Sequence, residues 1–477
     1  MTEGNLDTNV TVSLDRASTF RAMLVLALPV LAEESLNLLV GYTHFFLAGR
    51  YLAGDEPLAA MGLVAYILWV LPVLFQVVSI GALAVVARLV GGGQRQAAAH
   101  ATRQALLLGV LFAAAVLVLV LAGSRPFVAA MGLRGEAARL VIRYIWIIGP
   151  AVPFIMLEQV GSACLRGSGD TYSGMLARIV LNLVNTALST ALVTGAGLFP
   201  QWGWDGLAVG AAVGHAVGGS IILARLVRGG GVSIADVADA TRGRWRYDWL
   251  TIRRILGVGV PGGLDVLSVV ICHLIYVGII NRLGVAAQAA HGLGVQIEAL
   301  SYLPGSAFQV AAATLAGQSL GAADHRRAVR SVLLCVAAAL TIMTCAGLVL
   351  FFAGDRLAVL FLGRRSDTAI LVGQLLKIVA LSCPALAVLM VLSGALRGSG
   401  DTAWPLAFTF IGLVGIRIPG ACLLAWDEVP LPLVDVTLPG LGLGVAGAWW
   451  AMVADVSIRS LLAAARFTHG GWQRVKV

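Results

Sequence analysis

The sequence predicts an all-α integral membrane protein with twelve transmembrane helices in two pseudo-symmetric six-helix lobes. Three observations carry that prediction. Of 477 residues, 59% are hydrophobic and 12% charged, against about 25% charged in soluble domains. Apolar stretches long enough to cross a bilayer recur twelve times along the chain. A seven-residue motif, Leu165–Thr171, returns unchanged at Leu396–Thr402, an offset of 231.

A span needs roughly 20 apolar residues, because the hydrocarbon core is about 30 Å thick and a helix rises about 1.5 Å per residue. Spans are expected at about 22–48, 58–90, 104–122, 140–165, 172–199, 204–227, 250–281, 286–316, 328–353, 369–396, 403–425 and 440–466. Ala105–Ala122 and Ser331–Gly354 contain no charge at all. Several spans exceed 25 residues, so tilt, kinks or projection beyond the bilayer are expected. The 57 glycines suit close helix packing in lipid, where apolar burial no longer drives association. Residues 1–20 are polar and mixed in charge and do not read as a cleavable signal, so the first span is expected to direct insertion.

The net charge is +9, yet the basic residues lie between apolar stretches and not on one soluble face, which argues against a nucleic-acid partner. With the N-terminus inside, connections and span ends on that side hold 20 Arg and Lys against nine outside. This bias places both termini in the cytoplasm of a multi-pass protein of the cytoplasmic (inner) membrane. The Arg-rich stretch Arg225–Arg254 is the longest inside connection and divides the chain into lobes at 1–240 and 241–477. The six cysteines lie within or beside apolar stretches without CxxC spacing, so they read as small core residues and not as disulfides or metal ligands.

Two further matches fall at almost the same offset as the motif. Leu28-Pro29 matches Val260-Pro261, and Ala59–Leu63 matches Ala289–Leu293. Six spans per repeat is an even number, so the halves share one orientation and their axis should stand along the membrane normal. The motif lacks a preceding strand and a following Lys, so it is not a phosphate loop. Gly167 and Gly169 can close the fourth helix, and Asp170 or Thr171 can cap the fifth. Arg166 and Asp170 are expected to pair across this connection. Arg397, Gly398 and Asp401 are expected to repeat the arrangement, making a structural and gating corner in each lobe.

An ionisable residue within a span is expensive and reads as functional. The candidates are Glu33, Glu34, Glu158, Asp265, Glu298 and Asp455. At about 100° per residue, Glu33, Glu34, Asn37, Gly41 and His44 fall within one arc of about 100° on the first helix. On the seventh, Asp265, Cys272, His273 and Tyr276 share a stripe. Glu33 aligns with Asp265, each one turn past a helix-opening proline. These stripes read as cation- or substrate-binding surfaces facing a cleft, with a buried tie between helices as the competing reading. Asp455 can pair with Arg459, four residues on.

The twin LRGSGDT motifs, Leu26–Pro29, Phe46–Arg50, Ala289-Ala290-His291, Ala311–Gln318 and Arg417-Ile418-Pro419 together resemble the multidrug and toxic compound extrusion (MATE) family over nearly the whole chain. The resemblance implies two six-helix lobes around a central cleft and export of small, cationic or amphipathic organic compounds. Export would be driven by inward movement of Na⁺ or H⁺, by a monomer that is not an enzyme and needs no cofactor. Many members carry carboxylates where this chain has His44, Val269, Leu386 and Ser189, which tilts the expected coupling ion toward H⁺. The alternative is a flippase for a lipid-linked precursor. That function calls for a cationic cleft, whereas acids outnumber bases within the spans here.

Overall fold

A computed structural model describes residues 16–229, 232–237, 247–363, 366–431 and 436–477. Twelve helical rods follow one another, and we number them in chain order. The first lobe holds α1 (Arg16–Tyr51), α2 (Glu56–Gly91), α3 (Arg95–Ala130), α4 (Gly135–Ser168), α5 (Tyr172–Thr194) and α6 (Trp204–Arg228). The second holds α7 (Trp249–Asn281), α8 (Val285–Gly321), α9 (His325–Leu362), α10 (Asp367–Ala380 and Cys383–Gly398), α11 (Ala403–Ala425) and α12 (Gly444–His469). Among the described residues, ten rods are long and apolar enough to cross a bilayer, and α10 qualifies as a pair bent by 53°. The remaining rod, α8, is 37 residues long but carries Gln288, His291, Gln296, Glu298, Gln309 and Gln318, which lower its apolarity.

Each departure from a straight rod has a local cause. The bend in α2 follows Pro72, and that in α10 immediately precedes Pro384. In α4 the helix widens to a π turn over Leu157–Gly161, and in α11 over Phe410–Arg417, just before Pro419. Such insertions expose backbone carbonyls and occur at functional positions, and these two carry Glu158 and Arg417. The expected fifth span ends early, at Thr194, because Gly195 takes the left-handed conformation (φ 71°) that closes a helix. An antiparallel hairpin, β1 (Glu428–Leu431) with β2 (Val436–Pro439), joins α11 to α12. Too short for periodicity to reveal, it replaces the plain connection expected from the sequence.

The apolar core falls into four clusters, and their membership shows how the lobes meet. At the end of the molecule bearing the LRGSGDT motifs, Met23, Leu26, Ala27 and Val30 of α1 pack with α8, α9, α10 and α12 of the other lobe. Reciprocally, Ile252 and Ile255 of α7 pack with α2, α3 and α4. At the far end the two clusters stay within their own lobes. The apolar core is therefore shared between the lobes at the motif end and divided at the other, where a Tyr42–Gln296 hydrogen bond and a Trp69–His273 ring contact still cross the boundary.

Glycine makes the interlock close. A side chain at Gly91 would strike the Gln318 carbonyl, and one at Gly321 the Arg88 carbonyl. Gly81 meets the Ile255 carbonyl, and Gly259 meets that of Val77. The first two contacts are mirror copies, since Arg88 and Gly91 align with Gln318 and Gly321 under the repeat. Reciprocal contact of this kind is the signature of a two-fold interface.

Gly91→Val and Gly321→Val are accordingly expected to destabilise the purified protein by about 1–3 kcal/mol each, the usual cost of overpacking. Thermal unfolding in detergent reads this directly. Melting temperatures equal to wild type in both variants would contradict the packing described.

Candidate functional site

Each lobe contains one buried ion pair anchored in its motif, and the two pairs are copies. Glu33, one turn past Pro29 on α1, meets the Arg166 guanidinium at 2.7 Å. Asp265, one turn past Pro261 on α7, meets that of Arg397 at 2.6 Å. The two carboxylates are 4% and 1% exposed, so neither could stay charged there without its partner. The motif threonines complete the join. Thr171 Oγ1 donates to the Val25 carbonyl at 3.1 Å, and Thr402 Oγ1 to that of Val258 at 2.8 Å.

The expected pairing of Arg166 with Asp170, and of Arg397 with Asp401, does not occur. Gly169 (φ 97°) and Gly400 (φ 90°) turn the chain left-handed, a conformation cheap only for glycine. The turn sends each aspartate away from its arginine, which is left facing the lobe interior. Asp170 accepts from the Ser173 amide at 2.9 Å, capping α5 as expected, and lies 3.8 Å from Arg225. Asp401 pairs with Arg466 at 2.9 Å. The corners also touch the opposite lobe. Gln318 Nε2 donates to the Gly167 carbonyl at 3.0 Å, Thr314 Oγ1 to the Arg166 carbonyl at 3.1 Å, and Arg88 to the Ser399 carbonyl at 2.9 Å. Within the second lobe, Gly398 packs so closely on the Ala313 carbonyl that no Cβ would fit.

The single polar stripe expected on α1 divides in two, because an arc of about 100° spans two neighbouring faces. Glu33 and His44 face the lobe interior, whereas Glu34 is half-buried and Asn37 exposed. His44 Nε2 lies 3.1 Å from Asn185 Oδ1, and its Nδ1 lies 3.5 Å from the Tyr144 hydroxyl, with Ser189 joining through Asn185 at 3.0 Å. The α7 stripe divides similarly. Asp265, Cys272 and Tyr276 are buried, while His273 is half-buried, with its ring 6.3 Å from that of Trp69 across the lobe boundary.

Two further charged clusters lie inside the lobes. Glu158, on the π turn of α4, is 3.3 Å from Arg178 and 3.1 Å from His215. Asp455, fully buried, holds Arg459 at 2.7 Å, as the i,i+4 spacing suggested, and also Arg417 at 2.8 Å. Sequence reasoning left Arg178 and Arg417 without a role, although a basic residue within a span itself signals a nearby acid. It also passed over His215, and over the Trp449 Nε1 bond to His291 Nδ1 at 3.2 Å that fixes the tautomer of that ring.

The two remaining intramembrane acids are different. Glu34 accepts only from Asn37, at 3.2 Å, and has no ion pair among the described residues. The Glu298 carboxylate has neither an ion pair nor a hydrogen bond among them. Both are half-buried, as groups lining an internal cleft are. They come from opposite lobes, where Tyr42 of α1 donates to Gln296 of α8 at 2.9 Å, and Tyr302 lies within electrostatic range of both. Among the described residues, no three His, Cys, Asp or Glu converge as a metal-binding group. The arrangement offers two free carboxylates beside aromatic rings, suited to holding an organic cation or a proton.

The family model MatE matches residues 29–190 and again 261–423, once in each half. The chain is 27% identical over 457 residues to a probable multidrug resistance protein NorM of Thermotoga maritima, covering 95% of this chain and 93% of that one. It is 24% identical to the multidrug resistance protein MdtK of Proteus mirabilis, covering 94% of each. Among solved structures, a multidrug resistance MATE transporter in an outward-facing conformation matches with a TM-score of 0.81 at 20% identity, covering 96% of this chain and 97% of that one. A MOP superfamily transporter from Pyrococcus furiosus, described as having a binding pocket of reverse polarity, matches at 0.83 with 20% identity and the same coverage. These structures share the fold.

The twin ion pairs predict a mutational asymmetry. Arg166→Met or Arg397→Met leaves a buried carboxylate alone and is expected to cost about 3–5 kcal/mol. Adding Glu33→Leu to the first, or Asp265→Leu to the second, should recover most of that loss. Unfolding of the four proteins in detergent measures the coupling; strictly additive losses would contradict the pairing.

Proposed function

Because the chain belongs to the MatE family, we propose that it is a secondary antiporter that exports small cationic or amphipathic organic compounds by alternating access, coupled to inward movement of H⁺ in preference to Na⁺. The observation that carries this reading is the pair of carboxylates with no ion pair among the described residues, Glu34 and Glu298, one from each lobe. Every other intramembrane acid named above is held by an arginine. A carboxylate can bind a proton or neutralise a cationic substrate, but not both together. Competition for the same groups makes the two movements obligatorily opposed. The relatives named as multidrug resistance proteins support the substrate class.

The preference for H⁺ follows from the ligands at hand. A dehydrated Na⁺ needs several oxygens at once. Glu34 has the Asn37 amide beside it, the Glu298 carboxylate has no hydrogen-bond partner among the described residues, and Val269 is apolar. A proton needs one titratable group. With both termini cytoplasmic, as the basic residues favour, the interlocked motif end is the cytoplasmic gate. In the inward-facing state the clasp of Arg88 and Gln318 on the opposite corners would be released.

Efflux from liposomes with each gradient imposed separately tests this. A pH gradient without sodium is expected to drive export, and a sodium gradient at constant pH is not. Glu34→Gln and Glu298→Gln should each slow proton-driven export roughly tenfold or more, a loss of about 1.4 kcal/mol of coupling, with the protein folded. Export driven by sodium alone, or unchanged export in both variants, would reject the reading.

A further inference from the structure

At the motif end, outside the cleft, a cavity of about 910 Å³ opens beside the start of α9. Arg326, Val329, Arg330, Leu333 and Leu334 line it from one face of that helix, and Phe20 of α1 closes the opposite side. Along this face the chemistry changes in order, basic in the first two turns and apolar about 10 Å deeper at 1.5 Å per residue. The helix has 38 residues, about 57 Å, so its first turns project beyond a hydrocarbon core of about 30 Å. Arg326 has no ion pair among the described residues, and the Nη2 of Arg330 is buried without a hydrogen-bond partner among them.

The other lobe shows what such a position takes. Under the repeat, Arg330 aligns with His100 of α3. His100 Nε2 sits 3.1 Å from a carboxylate, that of Asp248 at the start of α7. The Thr251 hydroxyl, and then the His100 ring, hold that carboxyl below its usual range, so it is an anion at neutral pH. The first lobe meets this point of the fold with a negative group from its own chain. The second lobe presents a larger positive charge there, above an apolar wall.

We propose that this cavity binds an anionic phospholipid, with the phosphate between Arg326 and Arg330 and an acyl chain along Val329, Leu333, Leu334 and Phe20. Basic pockets between helix ends at a leaflet surface hold lipid phosphates. The site is separate from the transport cleft and does not depend on the coupling ion.

The test is thermal unfolding of the delipidated full chain in detergent with dioleoyl phosphatidylglycerol, dioleoyl phosphatidylcholine or glycerol phosphate added. Phosphatidylglycerol is expected to stabilise the protein more than phosphatidylcholine does. The Arg326→Gln/Arg330→Gln variant should weaken that binding roughly tenfold or more. If the double variant does not fold, Arg326→Gln alone, at an exposed position, should halve the lipid-specific shift or better. Equal stabilisation by the two lipids, or an unchanged response in the variants, overturns the proposal. Glycerol phosphate reproducing the whole effect would make this a soluble-anion site and overturn it too. So would a melting temperature lowered equally by Asp15→Asn in the absence of lipid, which would assign the cavity to the chain's own N-terminal segment.

Discussion

A carboxylate buried deep within a membrane helix needs a cation within reach, and the motif arginine supplies one in each lobe. The rest of the architecture hangs on that pair. Glu33–Arg166 ties α1 to the end of α4, and Asp265–Arg397 ties α7 to the end of α10. Tied there, each corner presents its threonine to the adjoining helix and its carbonyls to the opposite lobe. Losing one partner of such a pair costs about 3–5 kcal/mol, enough to threaten a fold of ordinary stability. The identity of the two motifs then has a physical reason, since both corners solve one problem with the same wiring.

Against this symmetric frame, the groups free to do chemistry are asymmetric. The repeat carries Glu34 onto Val266 and Glu298 onto Leu68, so neither unpartnered acid has a counterpart. The inner clusters differ too. One holds an acid with an arginine and a histidine, and the other an acid between two arginines. A two-fold frame that rocks between states requires matched contacts at its seam, but a binding site has no such requirement and can draw on unrelated positions in the two lobes. Here the matched pairs join helices at the seam, and the two acids without an arginine partner are unmatched.

That distinction explains what could be read from the sequence. The twelve rods and the repeat were legible because each rests on long apolar runs or on identity at one offset. Glu33 and Asp265 were legible as a matched pair for the same reason, and both lie in buried ion pairs. Their arginine partners lie more than 130 positions along the chain, and the local spacing pointed instead to Asp170 and Asp401. The left-handed turn at Gly169 and Gly400 decides between these partners, and helical periodicity takes no account of it. Glu34 and Glu298 were visible as acids. Their lack of an arginine partner is a property of the packed structure, in which the arginines nearest them, Arg166, Arg178 and Arg417, already hold other carboxylates.

Reciprocal contacts at the motif end hold the lobes in the described arrangement, and we propose that releasing them lets the two ends exchange. Spin labels test it in a background with the six cysteines replaced by serine. One pair sits at Arg95 and Ala322, near the motif end, and one at Ala53 and Leu283, at the far end. Distances are measured with the clasp intact and with Arg88→Ala/Gln318→Ala. Loss of the clasp is expected to add a longer distance at the motif end together with a shorter one at the far end. Unchanged distributions at both ends, or changes of the same sign at both, would contradict it.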